Sequence, residues 1–127
     1  MSNNSEAFNS NLFERASSEI DGLVIFRNNC GMLYNEHGIP TKFGVANQCG
    51  GSDFVGWFKG AFCAFEIKAD RDNTKPETLA KQENFIARVN EAGGFAGFVR
   101  RPIDITLILQ RQGCVKLSDY PRARLGE

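Results

Sequence analysis

Residues 50–68 read GGSDFVGWFKGAFCAFEIK, and the way this stretch folds back on itself decides how the rest of the chain is arranged. Two β-type runs, Asp53 to Phe58 and Ala61 to Lys68, are separated by Lys59-Gly60. A two-residue connection with glycine in second place suits a tight hairpin. Counting outward from that turn pairs Phe58 with Ala61 and, at the far end, Asp53 with Glu66. Like charges opposed across two strands are destabilising, so this pair calls for protonation, splaying or a cation between them. Period-two alternation puts Lys68 on the face of Glu66 and turns Ile67 to the other.

Asp53, Glu66 and Lys68 therefore offer two hard oxygen ligands suited to Mg²⁺, with an ammonium beside them. A divalent metal and a charged donor of this kind suit phosphodiester hydrolysis, where water must be activated and charge on the phosphate stabilised. Glu66-x-Lys68 alone is short and common, an ordinary strand-end pattern. The opposed Asp53 and the glycine-rich approach give it weight.

Upstream, Phe8, Leu12, Phe13, Ala16 and Ile20 recur at helical spacing over 5–20, with Ser5 as cap and Asp21-Gly22 as stop. Leu23-Val24-Ile25-Phe26 reads as a short buried strand. Residues 27–52 then form a long stretch rich in Gly, Asn and small side chains, expected to be a loop region with a short strand near Lys42 to Val45. A loop that long in a compact domain is expected to line a ligand surface. Downstream, a helix begins at Pro76-Glu77, carries Leu79, Gln82, Phe85, Ile86 and Val89 on one face, and stops at Gly93-Gly94. Phe95 to Arg100 reads as a strand, and Pro102 to Gln110 as a helix with Ile103, Leu107 and Ile108 inward. A further short strand is expected near Cys114 to Leu117. Without repeats or low-complexity linkers, residues 1–127 read as a single α/β domain.

The composition of the 127 residues, 42% hydrophobic and 24% charged, excludes collagen-like, coiled-coil and wholly disordered chains. Fifteen basic residues balance fifteen acidic ones, so net charge recommends neither a nucleic acid nor a membrane. The balance is uneven: an acidic start, with Glu6, Glu14, Glu19 and Asp21 against Arg15, meets a basic end from Arg100 onward. The four cysteines lack zinc-site spacing, and Cys63 sits in an apolar run where a buried reduced thiol is expected. The start, MSNNSEAFNSN, has neither the basic nor the apolar region of a leader, and no apolar run spans a bilayer, so a cytoplasmic location is expected. Trp57 and the eleven phenylalanines are read as mostly core, and His37 as incidental.

The order Gly50-Gly51-Ser52-Asp53, hairpin, Phe65-Glu66-Ile67-Lys68, then Gln82-x-x-Phe85, Gly93-Gly94 and a strand ending at Arg100 resembles the PD-(D/E)xK nuclease superfamily. Within it the chain is similar to the VRR-NUC (virus-type replication-repair nuclease) family, in its small stand-alone phage and bacterial form. Arg27-Asn28-Asn29 and Lys42-Phe43-Gly44 extend the similarity, which spans roughly residues 6 to 110. Ser52 stands where the superfamily has proline.

The resemblance implies a restriction-endonuclease-like αβββαβ core, a mixed sheet flanked by helices. It implies Mg²⁺ or Mn²⁺ held by Asp53, Glu66 and the Ile67 carbonyl, with Lys68 as catalytic lysine and Gln82 arranging the site. A first-helix glutamate is expected near the metal; Glu6 fits best, and Glu14 and Glu19 remain candidates. Arg27, Lys42, Lys59, Arg100 and Arg101 are candidates to contact phosphates, with Asn28 and Asn29 as neutral donors. The charged segment Ala69 to Lys75 reads as a mobile flap over DNA or as a solvated loop. The implied function is structure-selective cleavage of DNA, branched or four-way junctions included, by a homodimer acting in replication, recombination or repair. The alternatives are a catalytically idle nucleic-acid-binding or scaffold domain of the same fold, and a restriction-type endonuclease.

Overall fold

A two-residue turn that follows the twist of its strands needs positive φ at both positions. In the computed structural model of the protein, which describes residues 3–46, 51–111 and 113–120, Lys59 and Gly60 supply it at φ 49° and 85°. Along the chain the elements are α1 (Glu6–Ser17), β1 (Leu23–Arg27), β2 (Gly31–Tyr34), β3 (Pro40–Phe43), β4 (Phe54–Phe58), β5 (Ala61–Ile67), α2 (Pro76–Glu91), β6 (Phe95–Val99) and α3 (Pro102–Leu109). The expected hairpin register holds, from Phe58 opposite Ala61 to Phe54 opposite Phe65.

Four strands form one sheet in the order β1-β4-β5-β6, antiparallel except for the β5–β6 pair, which α2 connects in parallel. The fold is α/β with a mixed sheet flanked by helices. Helices α1 and α3 pack on each other and reach β1, β5 and β6, while α2 packs on β5 and β6. Strand β5 serves both layers because its side chains alternate. Phe65 meets Phe13 of α1 at a ring distance of 5.0 Å, and Phe54 completes the cluster at 4.8 Å. Glu66 and Lys68 turn to α2.

Several expectations are corrected. Residues 27–52 are not one loop: β2 and β3 pair as a separate hairpin, with Met32 opposite Lys42, and the strand expected at Lys42 to Val45 is Pro40–Phe43. No strand forms at Cys114 to Leu117; a 3₁₀ turn, Leu117–Asp119, follows instead. Ser5 does cap α1, its Oγ accepting the Phe8 N–H at 3.1 Å, but the helix ends at Ser17, and its buried face is Asn9, Ser10, Phe13 and Ser17, with Phe8 52% exposed. An apolar-arc reading gives no credit to a buried asparagine. Likewise Ile103 is exposed and Asp104 is buried, because the Asp104 Oδ2 accepts the N–H groups of Arg100 and Arg101 and sets the phase of α3. Trp57, Phe26 and Phe62 are also well exposed rather than core, on the part of the sheet that α2 leaves uncovered. Among the described residues, Cys30, Cys63 and Cys114 carry free thiols, and no helix is long and apolar enough to cross a membrane.

Candidate active site

Asp53 stands just before β4, so the register of the hairpin carries it to Glu66. It is fixed there from both sides. Its Oδ2 accepts the Ile67 N–H at 2.8 Å, and its carbonyl accepts the Asn28 N–H at 2.7 Å. Gly51 leads into this position with its backbone pressed against that of Val45, where a Cβ would lie 2.2 Å from the carbonyl oxygen. Ser52, between Gly51 and Asp53, is itself buried.

Glu66 is 7% exposed and Lys68 2%. Gln82, one turn and a half into α2, joins them: its Nε2 donates to Glu66 Oε1 at 2.8 Å, and its Oε1 accepts from Lys68 Nζ at 2.8 Å. Lys68 Nζ also donates to Thr74 Oγ1 at 2.7 Å, lies 3.6 Å from Asp72 Oδ1, and sits 5.6 Å over the Phe98 ring. Thr74 in turn donates its hydroxyl to Asp72 Oδ1 at 2.6 Å.

The electrostatics follow from crowding acids into a buried place. Burial first, and then the charge of Asp53, push the Glu66 carboxyl up to about 8, against the pull of Lys68. Asp53 is raised as well, mainly by burial, with the Ile67 N–H, Lys68 and Arg27 opposing. Glu66 Oε2 is buried without a hydrogen-bond partner. A carboxylate oxygen in that state is a ligand position waiting for a cation or a proton. Among the described residues no three His, Cys, Asp or Glu side chains form a ready-made metal-ligand cluster.

The other residues singled out from the sequence fall into groups. Of the first-helix glutamates, Glu6 is exposed at the start of α1, and partial burial and then the charge of Asp53 raise its carboxyl, with Lys68 opposing. Glu14 instead pairs with Arg27 at 3.0 Å on the exposed surface, and Glu19 is exposed. Arg27 still borders the site, with its guanidinium 4.8 Å over the Phe54 ring. Lys42 is exposed on β3, and Asn29 is exposed in the following loop from β1. Lys59 lies at the other end of the hairpin, about 20 Å of strand away from Asp53. Gly50 lies outside the described residues, as do Arg122 and Arg124.

Two expectations of phosphate contact, at Arg101 and Asn28, meet a structural competitor. Arg101 is 8% exposed and grips Asp70 with both terminal nitrogens, at 2.7 and 2.8 Å, so it is an internal tie. Asn28 spends its amide on Val45 and Ser52, bracing the approach to Asp53. Arg100 is half-buried, with its Nε enclosed and without a hydrogen-bond partner beside Leu79, Glu83 and Leu117. The Ala69 to Lys75 segment is anchored by its acids and solvated between them: the Asp70 side chain is 1% exposed and that of Asp72 13%, whereas Arg71, Asn73 and Lys75 are exposed.

Sequence reasoning missed Asn9, Asp70, Asp72 and Thr74. Asp72-Asn73-Thr74 did carry a signal, because an Asp two residues before a helix-entry Thr can bond the Thr N–H, as it does here at 3.3 Å. Asn9 carried none. Its Nδ2 reaches the Lys68 carbonyl at 2.8 Å, a contact across 59 residues. No family model, curated protein or solved structure matches the chain.

Proposed function

We propose that the chain is a metal-dependent nuclease with a PD-(D/E)xK-type core, a structure-selective DNA endonuclease of the VRR-NUC kind. The observation that carries the reading is Glu66: a buried carboxylate, opposed to Asp53, one of its oxygens unpartnered, and joined through Gln82 to a buried lysine. The sheet order supports the same core, since its strands and the first two helices run α-β-β-β-α-β along the chain, with the β2–β3 hairpin inserted.

The donors fit a hard divalent cation such as Mg²⁺ or Mn²⁺: Asp53 and Glu66 would hold it, with the Ile67 carbonyl and Glu6 as further oxygens. Bound there, it would supply Lewis acidity and a lowered water pKa. Lys68 supplies a fixed positive charge beside the two carboxylates, where it orients a water and stabilises charge developing on the phosphate. Gln82 holds Lys68 and Glu66 in one geometry, so that neither reorganises during the step. Arg27 at the rim and Lys42 on the inserted hairpin remain as phosphate contacts. A homodimer acting on branched DNA in the cytoplasm completes the reading, two sites being needed to cut two strands.

The test is cleavage of labelled linear, flapped and four-way DNA with Mg²⁺, Mn²⁺ or EDTA, beside Glu66→Ala and Lys68→Ala. Metal-dependent cutting that both variants lose by at least about 100-fold is expected. Cutting in EDTA, or cutting by both variants equal to that of the unmodified chain, overturns the mechanism. Binding without cutting favours an idle nucleic-acid-binding domain.

A further inference from the structure

An ε-ammonium has three hydrogens and no lone pair, so its orientation depends on where acceptors stand. Lys68 commits two of its hydrogens, to Thr74 Oγ1 at 2.7 Å and to Gln82 Oε1 at 2.8 Å. Asp72 Oδ1, at 3.6 Å, is an ion-pair partner beyond hydrogen-bond length. The third hydrogen thus has no side-chain acceptor among the described residues.

Both acceptors are themselves polarised. The Thr74 hydroxyl has a single hydrogen and gives it to Asp72 Oδ1 at 2.6 Å, so toward Lys68 it can only accept. Asp72 is held in turn by the Thr74 N–H at 3.3 Å. The Gln82 amide is oriented in the same manner, because its Nε2 donates to Glu66 and leaves Oε1 facing Lys68. Each link in the chain Asp72–Thr74–Lys68–Gln82–Glu66 has one allowed direction.

We propose that Thr74 and Asp72 are positioning residues for the reaction: they lock the Lys68 ammonium in one orientation and leave its third hydrogen for the reacting phosphodiester or its water. Asp72 acts through Thr74 by fixing the hydroxyl as an acceptor. This inference rests on the nuclease reading of the same site.

Thr74→Val keeps the shape and removes the hydroxyl, Thr74→Ser keeps the hydroxyl, and Asp72→Asn removes the charge and one of the two oxygens that accept the Thr74 hydroxyl and the Thr74 N–H, so that both can no longer be held at once. In the full chain, Thr74→Val and Asp72→Asn are expected to lower kcat roughly 10–100-fold with KM little changed, and Thr74→Ser to restore it. The second readout is the ¹H–¹⁵N signal of the Lys68 ammonium, recorded at low temperature without metal. It is expected to be sharp in the unmodified chain and in Thr74→Ser, and lost to exchange in the other two. Near-UV circular dichroism reports whether each variant keeps its packing; if Thr74→Val does not fold, the comparison of Asp72→Asn with Thr74→Ser decides.

The proposal is overturned if folded Thr74→Val or Asp72→Asn keeps full kcat and the ammonium signal, or if Thr74→Ser is as impaired as Thr74→Val. Should the unmodified chain cut no substrate, the nuclease reading fails, and the ammonium signal alone then shows whether the lock exists.

Discussion

Burial makes a carboxylate expensive mainly in its ionised form, and Glu66 combines burial with a second carboxylate opposite it. Its ordinary value is 4.5 and in the fold it rises to about 8. The fold therefore favours the protonated form, and stability contributed at low pH is lost as pH climbs from about 4.5 to about 8. Glu66→Gln cannot ionise and keeps an acceptor for Gln82. In chelator, it is expected to match the unmodified chain near pH 4 and to exceed it by about 1–3 kcal/mol above pH 8, measured by thermal or urea unfolding. A gap independent of pH would mean that Glu66 is not crowded as described. Saturating Mg²⁺ should raise the Tm of the unmodified chain and leave Glu66→Gln nearly unmoved. At this scale the hairpin triad was legible, because register and alternation are counted along neighbouring residues. The partners of Lys68 in the loop were not, since nothing in Asp72 or Thr74 says which side chain they face.

The elements were legible in kind and less so in phase. Helix α1 was expected to turn Phe8 and Phe13 inward together, yet Phe8 is 52% exposed while Phe13 is 1% exposed between Phe54 and Phe65. The difference is measurable. Phe13→Ala should cost about 3–5 kcal/mol in urea unfolding, and Phe8→Ala no more than about 0.5 kcal/mol. Equal losses would restore the apolar arc read from the sequence. The β2–β3 hairpin was missed for a related reason: its strands are short and nearly wholly exposed, so they lack the buried alternation by which strands are recognised.

Across the whole molecule, one buried tie joins the N-terminus of α1, the segment after β5 and the entry to α3. Asp70 accepts the Asn4 N–H at 2.6 Å and both terminal nitrogens of Arg101, and Arg101 also reaches Asn9 across 92 residues. This tie anchors the start of α1 to the segment after β5 and to α3. Arg101→Ala leaves Asp70 charged and buried, and should cost about 3–5 kcal/mol; Asp70→Leu with Arg101→Met should recover most of that loss. Denaturation of the two variants checks it, and a loss below about 1 kcal/mol for Arg101→Ala would show that solvent replaces the pair. The net charge of zero also takes on meaning at this scale. Among the described residues Arg101 and Lys68 are interior cations, and Glu66 and Asp104 are interior acids, so the charge balance holds inside as it does in the whole sequence.

What adjacent residues decide was present in the order of amino acids: the Lys59-Gly60 turn, the register that opposes Asp53 to Glu66, the face of Lys68, the Ser5 cap and the bounds of α2. These follow from local sterics and from periods of two and 3.6, which hold wherever the segment is placed. Tertiary structure alone decided that Asn9 is buried and Phe8 is not, that Arg101 ties Asp70 instead of waiting for phosphate, and that Asp72 and Thr74 close around Lys68. A buried polar group takes its partner from whatever the fold brings within about 3 Å, and that proximity is set by packing between elements far apart in the chain.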